Sequence, residues 1–128
     1  MSTSSLILPF EEERPWGKYI EFTRNISSTI KILEVNTGES LSLQSHHLRA
    51  EFWYIIDGIG EMTAGGSIEK KQKGDTCFID KEIHHRIHAI SPLRILEIAT
   101  GYGDERDITR YEDAYGRTVM NQIGRAHV

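Results

Sequence analysis

The chain has almost no cysteine, no long apolar run and no excess of basic charge, and each shortage removes a class of protein. Of its 128 residues a single one, Cys77, is cysteine. An intrachain disulfide and a cysteine zinc cluster are therefore excluded. Nothing near Cys77 in the sequence activates a thiolate, so it reads as a core residue in a reducing compartment. No segment approaches the roughly 20 apolar residues a membrane-spanning helix needs. The opening stretch MSTSSLILPFEEERPW lacks a basic n-region, and its apolar piece LILPF is too short for a signal peptide. The formal net charge is −4 and the pI is about 5.8, which is no nucleic-acid footprint. The expectation is a cytoplasmic protein with neither nucleic acid nor a membrane as partner.

What is present is a series of short β-prone segments. Hydrophobic residues make up 38% of the chain, enough for one compact core, and the length suits one domain. TIKILEV (29–35), LSLQSH, EFWYIID, GEMTA, SIEKKQ, TCFID, HHRIHAI and SPLRILEIAT read as strands or parts of strands. They are punctuated by NTGES, AGGS and KGD, which carry the glycine, asparagine and aspartate of turns. The centre shows no helical periodicity, so the pattern is that of an all-β sandwich or barrel. The charged stretch ERDITRYEDAYGR is expected to hold at most a helical turn, and NQIGRAHV reads as a loose end.

Side chains two apart on a strand share a face. If Gln44 and His46 point inward, Ser42 and Ser40 do too. Glu51 shares a face with Trp53 and Ile55, and His85 with Ile83 and Ile87; Glu97 lies with Ile95 and Ala99. A polar group among large apolar ones costs several kcal/mol to bury unless something pairs with it, by a rough estimate. A metal ion would satisfy Glu51 and His85 together. His47, His84 and His88 fall on the opposite faces and read as surface residues. Trp16 and Trp53 are expected in the core or at a dimer interface, and RPWG at the entry to a strand.

The spacing of these residues resembles that of the cupin barrels. Gly38 is followed by five residues, Gln44-Ser45-His46, four residues, Glu51, six residues and Gly58. This is the first cupin motif with glutamine in place of its first histidine. Gly74, five residues, Asp80-Lys81-Glu82, two residues and His85 resemble the second motif, without its proline, second glycine and asparagine. RPWGKY (14–19), GESLSLQSHHLRAEFWYIIDG, ILEIATG (95–101) and DITRYEDAYGR (107–117) are similar, in order, to the cupin domain of type II phosphomannose isomerases. The signature of that family is Gln-x-His-x-His-Arg-x-Glu, and here Leu48 replaces the second histidine.

The resemblance implies a single-domain all-β cupin, a double-stranded β-helix or jelly-roll barrel, over residues 14–117. Residues 1–13 would form an N-terminal arm or edge strand, and 118–128 a C-terminal tail. It implies one divalent metal (Zn, Mn, Fe, Co or Ni) held by Gln44, His46, Glu51 and His85, an N/O set that does not choose among these ions. Gln44 would either ligate or only hydrogen-bond. The implied activity, for a stand-alone domain, is isomerisation of mannose 6-phosphate to fructose 6-phosphate, feeding GDP-mannose and polysaccharide synthesis. Arg49 would then anchor the sugar phosphate or form a structural salt bridge, and Lys31 is a second anchor. Glu97 is a candidate base, and Arg49 is counted with it as a candidate catalytic residue. The alternatives are a related sugar-phosphate or nucleotide-sugar isomerase or epimerase, with Leu48 marking a changed specificity, and a non-catalytic cupin that binds metal and sugar. A homodimer is implied too, with the strand around Leu6 to Phe10 as a swapped element.

Overall fold

A computed structural model describes residues 9–101 and 106–112. Eleven strands and no helix occur among these residues: β1 (Phe10–Arg14), β2 (Gly17–Glu21), β3 (Ser28–Val35), β4 (Leu43–Ser45), β5 (Arg49–Asp57), β6 (Ile59–Ala64), β7 (Ser67–Gln72), β8 (Thr76–Ile79), β9 (His85–Ala89), β10 (Leu93–Gly101) and β11 (Thr109–Glu112). No helix of the described residues is long and apolar enough to cross a membrane. Two antiparallel sheets dominate, in the orders β3-β10-β5-β8 and β11-β4-β9-β6-β7. β1 and β2 form a separate hairpin, turned at Pro15-Trp16.

Alternation along each strand decides which residues enter the space between the sheets. Val35, Trp53, Ile55, Met62, Ile79, Ile87, Ala89, Leu93 and Ile95 are buried there as one cluster, with the half-buried Cys77 packed against it. A second, smaller cluster lies on the other face of the four-stranded sheet. There Phe52 and Ile98 pack with Leu96, Phe78, Tyr54 and Phe22, whose ring centroid is 5.6 Å from that of Phe52. β5 and β10 therefore bury both faces, which explains their unbroken hydrophobic runs.

Several expectations change. The segment ERDITRYEDAYGR holds no helical turn over its described part; Thr109–Glu112 instead pairs with β4. Its threonine and tyrosine alternate with charged residues, and an open sheet edge is there to receive them. Trp16 is 72% exposed and not in the core, because it sits at the tip of the β1–β2 turn. Ser40 turns to His88, with Oγ 2.6 Å from Nδ1, and not inward, because the chain leaves strand geometry before Leu43. The segment 118–128 and most of the Leu6–Phe10 stretch lie outside the described residues; Phe10 itself pairs with Glu21 of the same chain.

Gly101 closes the end of β10. It has φ +100° and stands opposite Arg49, and a Cβ there would run into the Leu48 carbonyl oxygen. Gly101→Ala is expected to lower the unfolding free energy by about 1–3 kcal/mol through strain and displaced backbone. Gly66→Ala, in an ordinary conformation with open space around it, should stay within about 0.5 kcal/mol. Urea unfolding of both variants checks the contrast.

Candidate metal centre and sugar pocket

The inner face of the four-stranded sheet is read off its register. Glu97 on β10 lies opposite Lys31 on β3 and opposite Trp53 on β5. Glu51 stands opposite Ala99, and Arg49 opposite Gly101. The five-stranded sheet supplies a facing row, because Arg110 pairs with Gln44 and Gln44 with His85. Both rows line one cavity of about 200 Å³, together with Arg49 and Glu51.

Glu51 and His85 of this lining meet the buried His46, and the three bring ligand atoms within 4.8 Å of one another. His46 Nε2 is 3.2 Å from Glu51 Oε2, and His85 Nε2 is 3.6 Å from Glu51 Oε1. The tautomers follow from what each Nδ1 meets. His46 Nδ1 faces the backbone carbonyl of Asp107, and His85 Nδ1 lies 2.9 Å from that of Ile83. A carbonyl only accepts, so Nδ1 carries the hydrogen in both rings and Nε2 presents a lone pair. Two imidazole lone pairs thus point at the same carboxylate, and the fixing of the far ring nitrogen is what metal-ligating histidines show. The donor set fits a divalent cation. Gln44 lines the same cavity, and its amide Nε2 donates to the Ser42 carbonyl at 3.4 Å.

Arg49 is the cation already in place. Its Nε and Nη2 both donate to Glu51 Oε2 at 3.0 Å, and Nη2 lies 3.2 Å from His46 Nε2. Of the two roles expected for Arg49, the geometry favours the salt bridge, since its fork is spent on Glu51. Trp53 Nε1 lies 3.1 Å from Glu51 Oε1 and 3.3 Å from Glu97 Oε2, a shared donor between the two carboxyls. Burial pushes the Glu51 carboxyl up, but His46, His85 and Arg49 outweigh it and hold the group well below the usual range. Burial lowers the His85 imidazole to about 4 against the pull of Glu51, so the ring is neutral at pH 7. Glu97 is raised to about 8 by burial and by its neighbour Glu51, with Arg49 and Lys31 opposing. Two carboxyls this close keep a proton on one of them.

Local backbone explains why these residues meet. The Glu82 N–H donates to the His46 carbonyl at 2.7 Å, tying the segment before β9 to the one after β4. Glu82 itself has φ +69°, keeping the left-handed turn that the second cupin motif builds with glycine. Its carboxylate lies 2.7 Å from His47 Nδ1 at the surface. Asp107 holds the other side. Its Oδ1 accepts from the His47 N–H at 2.9 Å, its Oδ2 from the Leu48 N–H at 2.8 Å, and its carbonyl from His46. Leu48 is 49% exposed and outside the cavity, so its departure from the family signature changes no cavity wall. Sequence reasoning missed Asp107 and Arg110. The signal for Arg110 was available, since Ile108 and Arg110 share a face and both line the cavity. Asp107 acts through backbone groups, and no side-chain pattern reports that.

Two facing antiparallel sheets with a His/Glu cluster inside them define a cupin. KdgF from Halomonas shares this fold with a TM-score of 0.57, at 14% identity over 66% of this chain and 77% of its own. Salicylate 1,2-dioxygenase from Pseudoaminobacter salicylatoxidans gives a TM-score of 0.54, at 14% identity over 57% of this chain and 21% of its own. Residues 7–113 match the family described as Mannose-6-phosphate isomerase C-terminal, and the chain belongs to that family. Among curated relatives, the Xanthan biosynthesis protein XanB of Xanthomonas campestris pv. campestris is 37% identical over 82% of this chain and 23% of its own length. The Alginate biosynthesis protein AlgA of Pseudomonas aeruginosa is 36% identical over 85% of this chain and 23% of its own. The Mannose-1-phosphate guanylyltransferase of Escherichia coli K12 is 34% identical over 84% and 23%. The chain thus spans about a quarter of the length of these relatives.

Dialysed wild-type protein is expected to retain about one divalent ion per chain, and Glu51→Gln to retain almost none. Asp107→Ala should weaken metal affinity by about ten- to a hundredfold, by freeing the His46 ring. Elemental analysis and competition against a chromophoric chelator measure both.

Proposed function

We propose that this chain interconverts mannose 6-phosphate and fructose 6-phosphate with a divalent metal held by His46, Glu51 and His85, and that it serves the synthesis of a mannose-containing polysaccharide. The observation that carries this reading is the pair of histidines whose lone pairs converge on Glu51, in a cavity that holds a second carboxyl. The family and the xanthan and alginate names of its relatives support the sugar class.

When bound, a divalent metal polarises the sugar carbonyl and stabilises the negative charge that develops on its oxygen. The rest falls to the chain. Glu97 lies beside Glu51 with its Oε2 near Trp53 Nε1, buried yet facing the cavity. A carboxyl so placed exchanges a proton between C1 and C2 of an open-chain sugar. Trp53 keeps the two carboxyls apart in role, donating to both while the surrounding core excludes water. Arg49 holds Glu51 against the histidines. Gln44 offers an amide to a sugar hydroxyl or to the ion. A cavity of about 200 Å³ is below the roughly 300–1,000 Å³ of sites for larger ligands, which favours a hexose monophosphate over a nucleotide sugar.

The test loads the protein separately with zinc, manganese, cobalt and nickel and follows mannose 6-phosphate by NMR. Turnover is expected with at least one ion. Glu97→Gln should retain the ion and lose activity by about a hundredfold or more. A tightly held ion without turnover of either sugar phosphate would contradict the reading.

A further inference from the structure

One indole N–H serves two carboxyls in the wall of the cavity. Trp53 is 1% exposed, and its register sets it directly opposite Glu97 on β10 and on the same face of β5 as Glu51. Its Nε1 lies 3.1 Å from Glu51 Oε1 and 3.3 Å from Glu97 Oε2. The same ring stands edge to face with the His85 imidazole, with centroids 5.6 Å apart at 69°. Trp53 therefore meets Glu51 and His85 of the candidate metal centre, and also the second carboxyl.

The two oxygens of Glu51 are used differently. Oε2 takes the Arg49 fork, 3.0 Å from both Nε and Nη2, and lies 3.2 Å from His46 Nε2. Oε1 lies 3.6 Å from His85 Nε2 and receives the indole N–H. A cation shared by His46, Glu51 and His85 competes with these donors for the electron pairs of the carboxylate. The guanidinium resists, because it holds Oε2 with a full charge and two hydrogen bonds. The indole has one neutral N–H, and a second acceptor already stands 3.3 Å from it. It is therefore the donor that yields. A buried N–H without a partner costs free energy, so the hydrogen that leaves Glu51 goes to Glu97.

We propose that Trp53 is a positioning residue that couples the metal centre to Glu97: a cation on Glu51 turns the indole N–H from Glu51 to Glu97, which fixes the second carboxyl toward the cavity. Without the cation the N–H is divided between the two carboxyls and Glu97 is held loosely. With it, Glu97 is the acceptor. The placement of the second carboxyl then follows the occupancy of the first. The part of Glu97 in proton transfer rests on the isomerase reading, whereas the movement of the hydrogen bond rests on these distances and on the metal centre alone.

The probe is zinc, titrated into the full chain carrying isotope-labelled tryptophan and followed by NMR. The chain has two tryptophans, and Trp16, 72% exposed at the tip of the β1–β2 turn, is the internal control. Zinc content and thermal unfolding are measured on every variant. The Trp53 indole proton should move to a new position that saturates at about one zinc per chain, still in the range of a hydrogen-bonded N–H, while Trp16 stays in place. In Glu97→Met zinc should be retained but should drive the Trp53 resonance upfield, toward an unbonded N–H, because the second acceptor is gone. Glu97→Gln keeps an acceptor oxygen and should restore the wild-type direction. Should Glu97→Met not fold, Glu97→Ala takes its place. Trp53→Phe should keep its zinc and lower kcat for mannose 6-phosphate by roughly ten- to a hundredfold with KM little changed, the worth of one hydrogen bond to a charged group. A Trp53 resonance unmoved at saturating zinc, or one that moves identically in wild type and Glu97→Met, would overturn the coupling. Transfer of the hydrogen bond in a protein that turns over no hexose phosphate would leave the coupling standing and remove the isomerase. Protein that holds no zinc would remove the metal centre and the coupling with it.

Discussion

A carboxylate in the middle of an apolar barrel sets the terms for the rest of this structure. Glu51 is 1% exposed, on a strand whose inward neighbours are Trp53 and Ile55. Its charge is met by hydrogen bonds from Arg49 and Trp53, and the His46 and His85 lone pairs that turn toward it leave a place for a cation to be shared among the three. Removing one partner from such a buried group costs on the order of 3–5 kcal/mol, because an uncompensated charge remains. The partners come from β5, β9 and the segment after β4, so the cluster ties the two sheets together from the inside. The hydrogen bonds behind it extend the constraint outward, through the Asp107 and Ile83 carbonyls to the backbone that carries each histidine.

That constraint explains how the chain departs from its family's motifs and keeps the pocket. Leu48 has lost a signature histidine, but its backbone N–H is still held by Asp107 and its side chain lies outside the cavity. Glu82 stands where the second motif has glycine. Its left-handed φ costs about 1–2 kcal/mol in an L-residue, offset in part by the exposed pair with His47 and by the N–H bond to His46. Both departures fall on the outer layer of the site. The inner layer keeps Gln44, Arg49, Glu51 and His85, which line the cavity, and His46, whose ring meets Glu51 and His85.

Much of this was legible in the sequence, and the reason is the period of two. Where a strand runs unbroken, alternation assigns faces correctly: Glu51 with Trp53 and Ile55, Glu97 with Ile95, and His85 with Ile87. It fails where strand geometry lapses, as at Ser40 and at Ile83, which precedes β9 and is 37% exposed although it was expected on the face of His85. Arg49 was visible as a residue but not in its role, because the choice between anchor and salt bridge depends on how the fork meets Glu51. Arg110 and Asp107 were hidden because Thr109–Glu112 was not read as a strand. Once Thr109–Glu112 is a strand beside β4, Arg110 faces the cavity by the same alternation that revealed Glu51.

The claim on which the account stands is that one divalent ion sits between two imidazoles and Glu51. X-ray absorption spectroscopy of the zinc-loaded protein tests it most directly. The account predicts two imidazole ligands per zinc, with nitrogen at about 2.0–2.1 Å and the outer-shell scattering of the rings, and oxygen completing the shell. A shell of oxygen alone, or imidazole scattering that persists unchanged when His46 and His85 are both replaced by alanine, would contradict it.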